Sequence, residues 1–315
     1  MLHHQKILES NQRFRKMMNG AFEDHLLQSY SERELASHIL ASPRAAPISS
    51  IRLLSSNLIA KHYTPDILED AIKVIEVARQ SGIRAPCIKR IIRHNNDAYC
   101  IMERIQGTTL EDAWPKLSWF TVIRLILQLR RFIQILRSIT SLTAGSLATG
   151  ECRSFWLEDR YGLPARSGPK ELTHFLTFWV GFVSIRREVK SPAQGSVHPK
   201  GRIPPTAGIF VLTHHDLAPR NIMVDGAGKL WLIDWDYAGF YPKYFEYAGT
   251  QNFDIPEDWS LFARLWWWAF VWITVGRYEE DARVLRHIRS KFTRFSAGRR
   301  FALLKYGGPS RHPVS

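Results

Sequence analysis

Between residues 213 and 234 the sequence carries three oxygen-bearing side chains whose types and spacing suit phosphoryl transfer. Asp216 lies in the segment THHDLAPRN, Asn221 follows five residues later, and Asp234 comes thirteen residues after Asn221 in the segment IDWD. Phosphoryl transfer needs a carboxylate that orients the acceptor hydroxyl, and an amide and a second carboxylate that hold Mg²⁺ on the phosphates. Mg²⁺ prefers oxygen ligands of this kind. The set therefore indicates a site for magnesium-assisted phosphoryl transfer.

Two alternative roles for these residues are less favoured. Ordinary turn formation would account for any one of the three, but not for all three at this spacing. A zinc site made by His214, His215 and Asp216 is disfavoured, because consecutive residues on a tight loop rarely aim at one metal and no fourth ligand is apparent.

Short strands are predicted to hold these residues at their ends. Residues 209–213 form a strand candidate directly before the first motif. Residues 221–224 and 229–233 form two more, joined by Asp225-Gly226-Ala227-Gly228, which is a strong hairpin turn. Asp216, Asn221 and Asp234 then all lie on loops where strands end.

The part of the chain before residue 105 is predicted to be a small sheet with one helix. Two apolar segments in residues 51–63 flank Ser55-Ser56-Asn57 and predict a hairpin, and residues 67–80 have helical apolar spacing. Residues 88–92 and 98–102 are two further strands around Asn95-Asn96-Asp97. Residues before 50 predict one or two amphipathic helices, with Ser31 and Glu34 spaced as a capping box.

After Gly107 the pattern changes to long helices. Residues 119–139 are so apolar that most of the circumference of this helix is expected to be buried. Residues 168–183 predict another helix, and residues 191–208 an exposed basic loop. The apolar run 259–276 contains Arg264, and we expect a buried or interfacial helix rather than a membrane span.

Composition narrows the class of protein. With 315 residues, 45% of them hydrophobic and 23% charged, the chain is long and apolar enough to fold around its own core. The net charge of +14 favours anionic partners such as nucleotide phosphates, nucleic acid or acidic lipid. The three cysteines form no CxxC pair and the first thirty residues lack a secretory apolar core, so we expect an intracellular, cytoplasmic protein.

Several motifs in order resemble one known group. Residues 213–247, the segment SSNLIAKHY, the segment YCIMERIQGTTLEDAW and the segment GPKELTHFLTFWV are similar to the aminoglycoside-phosphotransferase-like branch of the protein-kinase-like fold. Within that branch the resemblance is closest to fungal proteins of unknown substrate. It covers roughly residues 50 to 250 with order and spacing preserved.

The resemblance implies an α+β, bilobal protein-kinase-like fold. A small antiparallel β N-lobe with one helix would span residues 51–104, and a larger, mainly helical C-lobe would span residues 105–285 with its catalytic segment at 209–247. Outside the resemblance, the Pro/Ala/Ser-rich stretch 41–50 predicts a linker, so that residues 1–50 are a helical extension and linker, and the composition of residues 286–315 predicts a basic C-terminal tail.

The resemblance also implies a role for each site residue. Asp216 would be the catalytic carboxylate, Asn221 and Asp234 would ligate Mg²⁺, and His214 would hold the catalytic loop by hydrogen bonds. Lys61 would contact the ATP phosphates from a strand. Met102 would close the back of the adenine pocket, and the backbone of Glu103 and Ile105 would bind the adenine edge.

Four departures from the kinase pattern bear on activity and substrate. No GxGxxG precedes Lys61, so Ser55-Ser56-Asn57 is the candidate for the phosphate-covering turn. The acidic partner of Lys61 is either Glu69 or Asp70. Ala218 stands where protein kinases have a lysine, and no long activation loop follows Asp234, which favours a small-molecule acceptor over a protein. His215 replaces the usual glycine.

The sequence thus predicts an ATP- and Mg²⁺-dependent phosphotransferase that acts on a hydroxyl of a small molecule. One alternative is a weak or inactive pseudokinase-type protein that binds nucleotide or a partner. A less favoured one is nucleic-acid binding through the basic tail. The sequence gives no firm evidence for a nucleic-acid or membrane partner, and it does not indicate the oligomeric state.

Overall fold

The computed structural model of the protein describes residues 22–94, 97–158, 162–182, 202–206 and 208–295, together with Arg299. The strands are β1 (Ile51–Leu53), β2 (Leu58–Tyr63), β3 (Ile88–His94), β4 (Asp97–Glu103), β5 (Gly107–Thr109), β6 (Thr140–Ser141), β7 (Phe210–Thr213), β8 (Ile222–Asp225), β9 (Leu230–Leu232) and β10 (Gly239–Tyr241). The helices are α1 (Glu32–Ala41), α2 (Pro65–Gln80), α3 (Leu110–Ala113), α4 (Trp119–Ser138), α5 (Pro169–Gly181), α6 (Tyr244–Gly249), α7 (Leu261–Thr274) and α8 (Glu279–Arg294).

The first sheet is antiparallel, with strand order β1-β2-β4-β3, and a different helix covers each of its faces. Successive side chains of β4 point to opposite faces, as strand geometry requires. Tyr99 and Ile101 share one hydrophobic core with α1, whereas Cys100 and Met102 share another with α2. The predicted α+β class, with a small antiparallel sheet before a mainly helical part, is confirmed.

Helix α2 starts earlier than predicted. Pro65 occupies its first turn, where the missing N–H costs nothing, and Asp66 is the acid of that turn. The sequence predicts a start at residue 67, which would put Glu69 and Asp70 in the first turn of the helix. The helix ends before Gly82, whose φ of +87° lies in the left-handed region.

The segment before β1 packs on the sheet. Helix α1 begins with the predicted capping box, in which Ser31 and Glu34 satisfy each other's backbone N–H groups. Its apolar side shares the core of the sheet. Arg44 forms an antiparallel bridge with Arg52 of β1, and Leu53 N donates to the carbonyl of Pro43. The stretch predicted as a linker at residues 41–50 is therefore hydrogen-bonded to the edge of the sheet at β1.

These contacts also change which turn lies beside Lys61. The turn Ser55-Ser56-Asn57 is at the other end of β2, where Arg104 N donates to the carbonyl of Asn57 at 2.7 Å. Ser50 lies at the same end of β2 as Lys61, since its carbonyl accepts from His62 N and its neighbour Ile51 pairs with Lys61. The turn at residues 45–50, not Ser55-Ser56-Asn57, is therefore next to the lysine.

Helix α4 lies at the centre of the second part. Its buried stripe, which includes Leu125, Leu129 and Leu136, joins a large core that also contains residues of α5, α7 and α8. The expectation that most of its circumference is buried is wrong, because Trp119 and Leu127 are more than 60% exposed. The helix is buried on one side, and its other side exposes both apolar and arginine side chains.

Two small sheets fix the ends of the catalytic segment. One has the order β10-β7-β6 and the other the order β5-β8-β9. Strand β7 ends at Thr213, β8 begins directly after Asn221, and β9 ends two residues before Asp234. The three predicted catalytic and metal-binding residues therefore lie on loops at strand ends, as the sequence predicted.

The apolar run at 259–276 forms α7, whose Trp267 and Phe270 are buried in the large core. Within the part of the chain that the structure describes, no helix is both long and apolar enough to cross a membrane. Helix α8 follows α7 and continues past residue 285, where the sequence predicts that the helical C-lobe ends and the basic tail begins. Its Ile288 and Phe292 are buried.

Four predicted features lie wholly or partly outside the described residues. They are residues 1–21 of the N-terminal extension, the Asn95-Asn96 part of one turn, most of the basic loop at 191–208, and the tail beyond Phe295 except Arg299.

Candidate active site

His214 ties the catalytic loop to the segment that carries Asp234. Its Nε2 lies 3.0 Å from the carbonyl of Ile233, and its ring packs on Trp235 with centroids 4.5 Å apart. Burial lowers the pKa of His214 to about 4, so the ring is neutral near pH 7. A neutral imidazole that donates to a backbone carbonyl is suited to holding the loop in place.

Glu246 anchors the same loop, and no sequence motif had pointed to it. Its carboxylate accepts from the backbone N–H of His214 at 2.8 Å and of His215 at 2.9 Å. Burial raises its pKa to about 7, although both hydrogen bonds favour the charged form. The only signal in the sequence was an acid alone among the aromatic residues 244–247, which does not reveal a partner about thirty residues away.

His215 occupies the position where glycine was expected, and its backbone shows why. Its φ is +72°, in the left-handed region that disfavours residues with a Cβ. The ring is fully buried, with Nε2 at 2.8 Å from the hydroxyl of Ser154 and Tyr241 packed against it. Burial lowers its pKa to about 3. His214 and His215 thus face different partners and do not converge on a zinc ion.

Asp216 is held by two neighbours from its own loop. Arg220 Nη2 donates to both carboxylate oxygens, at 3.0 and 2.8 Å, and Asn221 Nδ2 donates to one of them at 2.8 Å. Burial raises the pKa of Asp216, and the charge of Arg220 opposes this only in part. A buried carboxylate with a raised pKa is a better proton acceptor than an exposed one, which is useful at a catalytic position.

Lys61 reaches across from β2 and bonds to two carboxylates of the catalytic segment. Its Nζ donates to Asp234 in a short contact and to Asp236 at 2.7 Å, although the two segments are more than 170 residues apart. The lysine is 7% exposed. The fold therefore brings together the predicted lysine and a predicted metal ligand, and it adds Asp236.

The pKa shifts of these three groups follow from burial and from each other. Burial disfavours the charged amine of Lys61, but Tyr63 and the two carboxylates together outweigh it and raise the pKa of the amine. Burial would also raise the pKa of Asp234, but Lys61 outweighs it and lowers that pKa. For Asp236 burial prevails, and its pKa is raised despite Lys61. Asp234 therefore carries its charge more readily than Asp236.

Neither helix acid proposed as the partner of Lys61 contacts it, so that prediction is wrong. Asp70 instead accepts from the backbone N–H groups of Ala148 and Thr149, at 3.0 and 2.9 Å, and from Arg153 at 2.7 Å. Glu69 lies on the exposed side of α2. The helix acid thus fastens α2 to a loop of the helical part, and Asp236 takes the place beside the lysine.

The predicted adenine-binding residues lie at the end of β4 and just beyond it. Met102 is 4% exposed and packs in the core between the sheet and α2. The N–H of Glu103 donates to the carbonyl of Cys87 at 2.9 Å, so its carbonyl is the group left for an adenine amine. Ile105 follows two residues later with its N–H as the candidate donor.

The donor set fits a magnesium ion. Both hydrogens of the Asn221 amide are used by Asp216, because Nδ2 donates to its backbone carbonyl at 2.9 Å and to its carboxylate. The amide oxygen is therefore the atom turned away from these contacts. Ile233 N donates to the carbonyl of Asn221 at 3.0 Å, which places Asp234 directly beside it. An amide oxygen and an ionised carboxylate are ligands that Mg²⁺ accepts.

A cleft of about 550 Å³ opens beside these residues. Asp236 and Tyr237 form one wall. Phe155 packs at a tilt against Tyr237, with ring centroids 3.9 Å apart, and stacks on His215. Phe155 thus lies between the cleft wall and His215, the residue before Asp216, whereas Asp216 itself is not among the residues that line the cleft. The other acidic residues that line it are Asp66, Glu151 and Glu158.

The sequence model of the phosphotransferase enzyme family matches residues 56–270. The chain belongs to this family. The matched residues include Lys61, residues 102–105 and the whole segment 209–247. Members of the phosphotransferase enzyme family are ATP-dependent small-molecule kinases, and this chain is one of them.

No curated protein sequence matches the chain. Solved structures give distant likenesses. An aminoglycoside-3'-phosphotransferase of type VIII is 13% identical, with a TM-score of 0.47 over 79% of this chain and 91% of its own. An aminoglycoside phosphotransferase bound to ADP and hygromycin B is 12% identical, with a TM-score of 0.48 over 89% and 99%. A choline kinase from Streptococcus pneumoniae is 13% identical, with a TM-score of 0.40 over 88% and 92%.

Proposed function

We propose that this member of the phosphotransferase enzyme family transfers the γ-phosphoryl group of ATP, with Mg²⁺, to a hydroxyl of a small molecule. The observation that carries the proposal is the convergence of Lys61 on Asp234, next to Asn221 and the clamped Asp216. Chance does not bring a buried lysine and these oxygen ligands together from segments so far apart.

In this proposal the nucleotide binds between residues 51–104 and residues 105–285. The adenine edge meets the carbonyl of Glu103 and the N–H of Ile105, with Met102 behind it. The amine of Lys61 faces the α- and β-phosphates as a point charge. The turn at residues 45–50, which lies beside Lys61, covers the phosphates.

Asn221 and Asp234 would hold Mg²⁺, which neutralises charge on the phosphates. Asp216 orients the acceptor hydroxyl and takes its proton late, because a loose transition state needs little early deprotonation. Arg220 keeps the Asp216 carboxylate in one orientation through its two hydrogen bonds. His214 and Glu246 hold the loop that carries these groups.

The acceptor would bind in the cleft beside Asp236 and Tyr237. Its lining contains four carboxylates, Asp66, Glu151, Glu158 and Asp236, against one cation, Arg153, which pairs with Asp66 and Glu151. The remaining surplus of carboxylates favours an acceptor that carries a positive charge. Several solved structures that the chain resembles carry aminoglycosides, and one is a choline kinase. The motif resemblance to fungal proteins of unknown substrate leaves the acceptor itself unnamed.

The test is ADP release by the purified chain with Mg-ATP, first alone and then with a panel of hydroxylated compounds. Slow basal release should disappear in Asp234→Ala. The matched control is Asp254→Ala, because Asp254 is an exposed acid. Cationic amino sugars and choline-like alcohols should stimulate release more than neutral sugars do.

The pseudokinase alternative predicts a different result. Nucleotide would bind, but no compound of the panel would raise ADP release, and Asp234→Ala would leave the baseline unchanged. The composition of the turn at residues 45–50 supports this alternative in one respect, since AAPISS lacks the glycines of a phosphate-binding loop.

A further inference from the structure

Two neighbouring helices of the second part expose large apolar side chains on one side. We call this surface the aromatic face. Its residues are Trp119, Phe120, Ile123 and Leu127 of α4 and Leu261, Phe262, Leu265, Trp266 and Ile273 of α7, each at least 41% exposed. Exposed apolar residues are ordinary when single, but a contiguous group of this size marks an interaction surface.

The two helices lie side by side, so their exposed residues form one surface. A groove of about 190 Å³ runs between them, lined by Trp119 and Ile123 on one side and Phe262 and Trp266 on the other. Further along, Arg130 Nη1 donates to the carbonyl of Ile273 at 3.3 Å. Helix α7 has fourteen residues, so the face extends along about 20 Å of helix.

The charge of the two helices is entirely positive. Residues 119–138 contain Arg124, Arg130, Arg131 and Arg137, residues 261–274 contain Arg264, and neither helix contains an aspartate or glutamate. The acids nearest in the chain precede the helices. Arg124, Arg130 and Arg131 are exposed on α4. The α4 side of the aromatic face is therefore bordered by cations, while Glu257 and Asp258 are exposed just before α7.

We propose that the aromatic face docks on the surface of a lipid bilayer that contains anionic lipids. Tryptophan and phenylalanine rings enter the boundary between headgroups and acyl chains, where indoles are enriched in membrane proteins. The arginines meet the lipid phosphates, and the net charge of +14 attracts the whole chain to such a surface. The helices lie on the bilayer and do not cross it.

A second copy of the chain suits this face less well. A two-fold dimer brings the same patch of each copy together, so the arginines of one face would oppose those of the other. The two helices supply no acid to pair with them. Anionic lipid supplies both the apolar medium and the negative charge. This proposal does not depend on the phosphotransferase activity.

The experiment is flotation of the full chain with vesicles of phosphatidylcholine alone and with added phosphatidylserine. The chain should float with the anionic vesicles, and salt should weaken the binding. In Trp119→Ser/Phe262→Ser the vesicle partition coefficient should fall about tenfold or more, because each ring contributes apolar area to the docked state. Arg124→Glu/Arg131→Glu should lose the preference for phosphatidylserine.

The matched control is Leu142→Ser, since Leu142 is 73% exposed and lies outside the aromatic face. It should float like the unchanged chain, and all variants should keep the same melting temperature because the altered side chains are exposed. Flotation that is absent at low salt, or equal in all variants, overturns the proposal. So does a dimer, seen by light scattering, that Trp119→Ser/Phe262→Ser dissociates while no form of the chain binds vesicles.

Discussion

Asp236→Asn tests whether the lysine of this site is anchored from the catalytic segment instead of from helix α2. The change keeps the size of the side chain and removes its charge. Asp236 Oδ1 is 2.7 Å from Lys61 Nζ, and Asp234 also accepts from that amine. If Asp234 turns to Mg²⁺ when nucleotide binds, Asp236 is the carboxylate that keeps the lysine on the phosphates.

The magnitude follows from the contact that is weakened. A hydrogen bond to a charged group contributes about 1.5–3 kcal/mol. The asparagine oxygen can still accept from the amine, so we take the lower end, about 1.5 kcal/mol. This corresponds to about a tenfold loss in kcat/KM for ATP.

Stability should change little in the same variant. The pKa of Asp236 is raised by burial, so its charged form is disfavoured in the folded protein. Replacing it with a neutral amide removes that cost, while Lys61 keeps Asp234 as a partner. A defect in catalysis without a loss of stability separates a positioning role from a structural one.

The assay is basal ADP release at varied Mg-ATP concentration, with thermal unfolding measured on the same samples. Glu69→Gln is the control, since Glu69 is exposed on α2. Asp70→Asn should lower the melting temperature, because Asp70 holds two backbone N–H groups and Arg153, yet leave the KM for ATP unchanged. Normal kcat/KM in Asp236→Asn, or a tenfold loss in Glu69→Gln, would refute the assignment.

Three further predictions concern the catalytic loop. Glu246→Gln should lower the free energy of unfolding by about 1–3 kcal/mol in urea, because an amide has one acceptor oxygen for two buried N–H groups; an unchanged urea midpoint would contradict this. His215 has a folded pKa of about 3 against an ordinary 6.5, so the stability it contributes is present above pH 6.5 and lost as pH falls toward 3. Between pH 3 and 6.5, His215→Gly should make the free energy of unfolding fall less steeply with decreasing pH, by about 1.4 kcal/mol per pH unit. An unchanged pH dependence would show that the imidazole is not buried and neutral. In Gly249→Ala the new Cβ would collide with the carbonyl of His215, so basal ADP release should fall about tenfold or more. In the control Gly226→Ala the new Cβ meets open space, so ADP release should be normal. Equal ADP release by the two variants would contradict the close packing of Gly249 on the catalytic loop.

Local patterns in the sequence predicted much of the fold. The apolar run after Asn95-Asn96-Asp97 indicated β4, the Asp225-Gly228 turn indicated the β8–β9 hairpin, and Ser31 with Glu34 indicated the start of α1. Each of these features depends on residues a few positions apart, so its physical cause is visible in the printed chain. The roles of Asp216, Asn221 and Asp234 stay predictions until they are assayed.

The expected burial of α4 did not follow from a local pattern in the same way. Residues 119–138 are rich in apolar side chains, and hydrophobicity alone suggested that most of the circumference of this helix is covered. Only the packing of α4 against its neighbours shows that Trp119 and Leu127 remain exposed. An apolar side chain favours burial but does not supply the partner that would bury it.

The sequence by itself determined which residue types are spaced for phosphoryl transfer and which local elements carry them. Only the tertiary structure decided that Lys61 bonds to Asp236 and not to Asp70, that Glu246 anchors the catalytic loop, and that the turn at residues 45–50 lies beside the lysine. The physical reason is that an ion pair forms between charged groups that the packing of distant segments brings within about 3 Å of each other. The distance between two such groups depends on the packing of the whole core, and no local sequence pattern sets it.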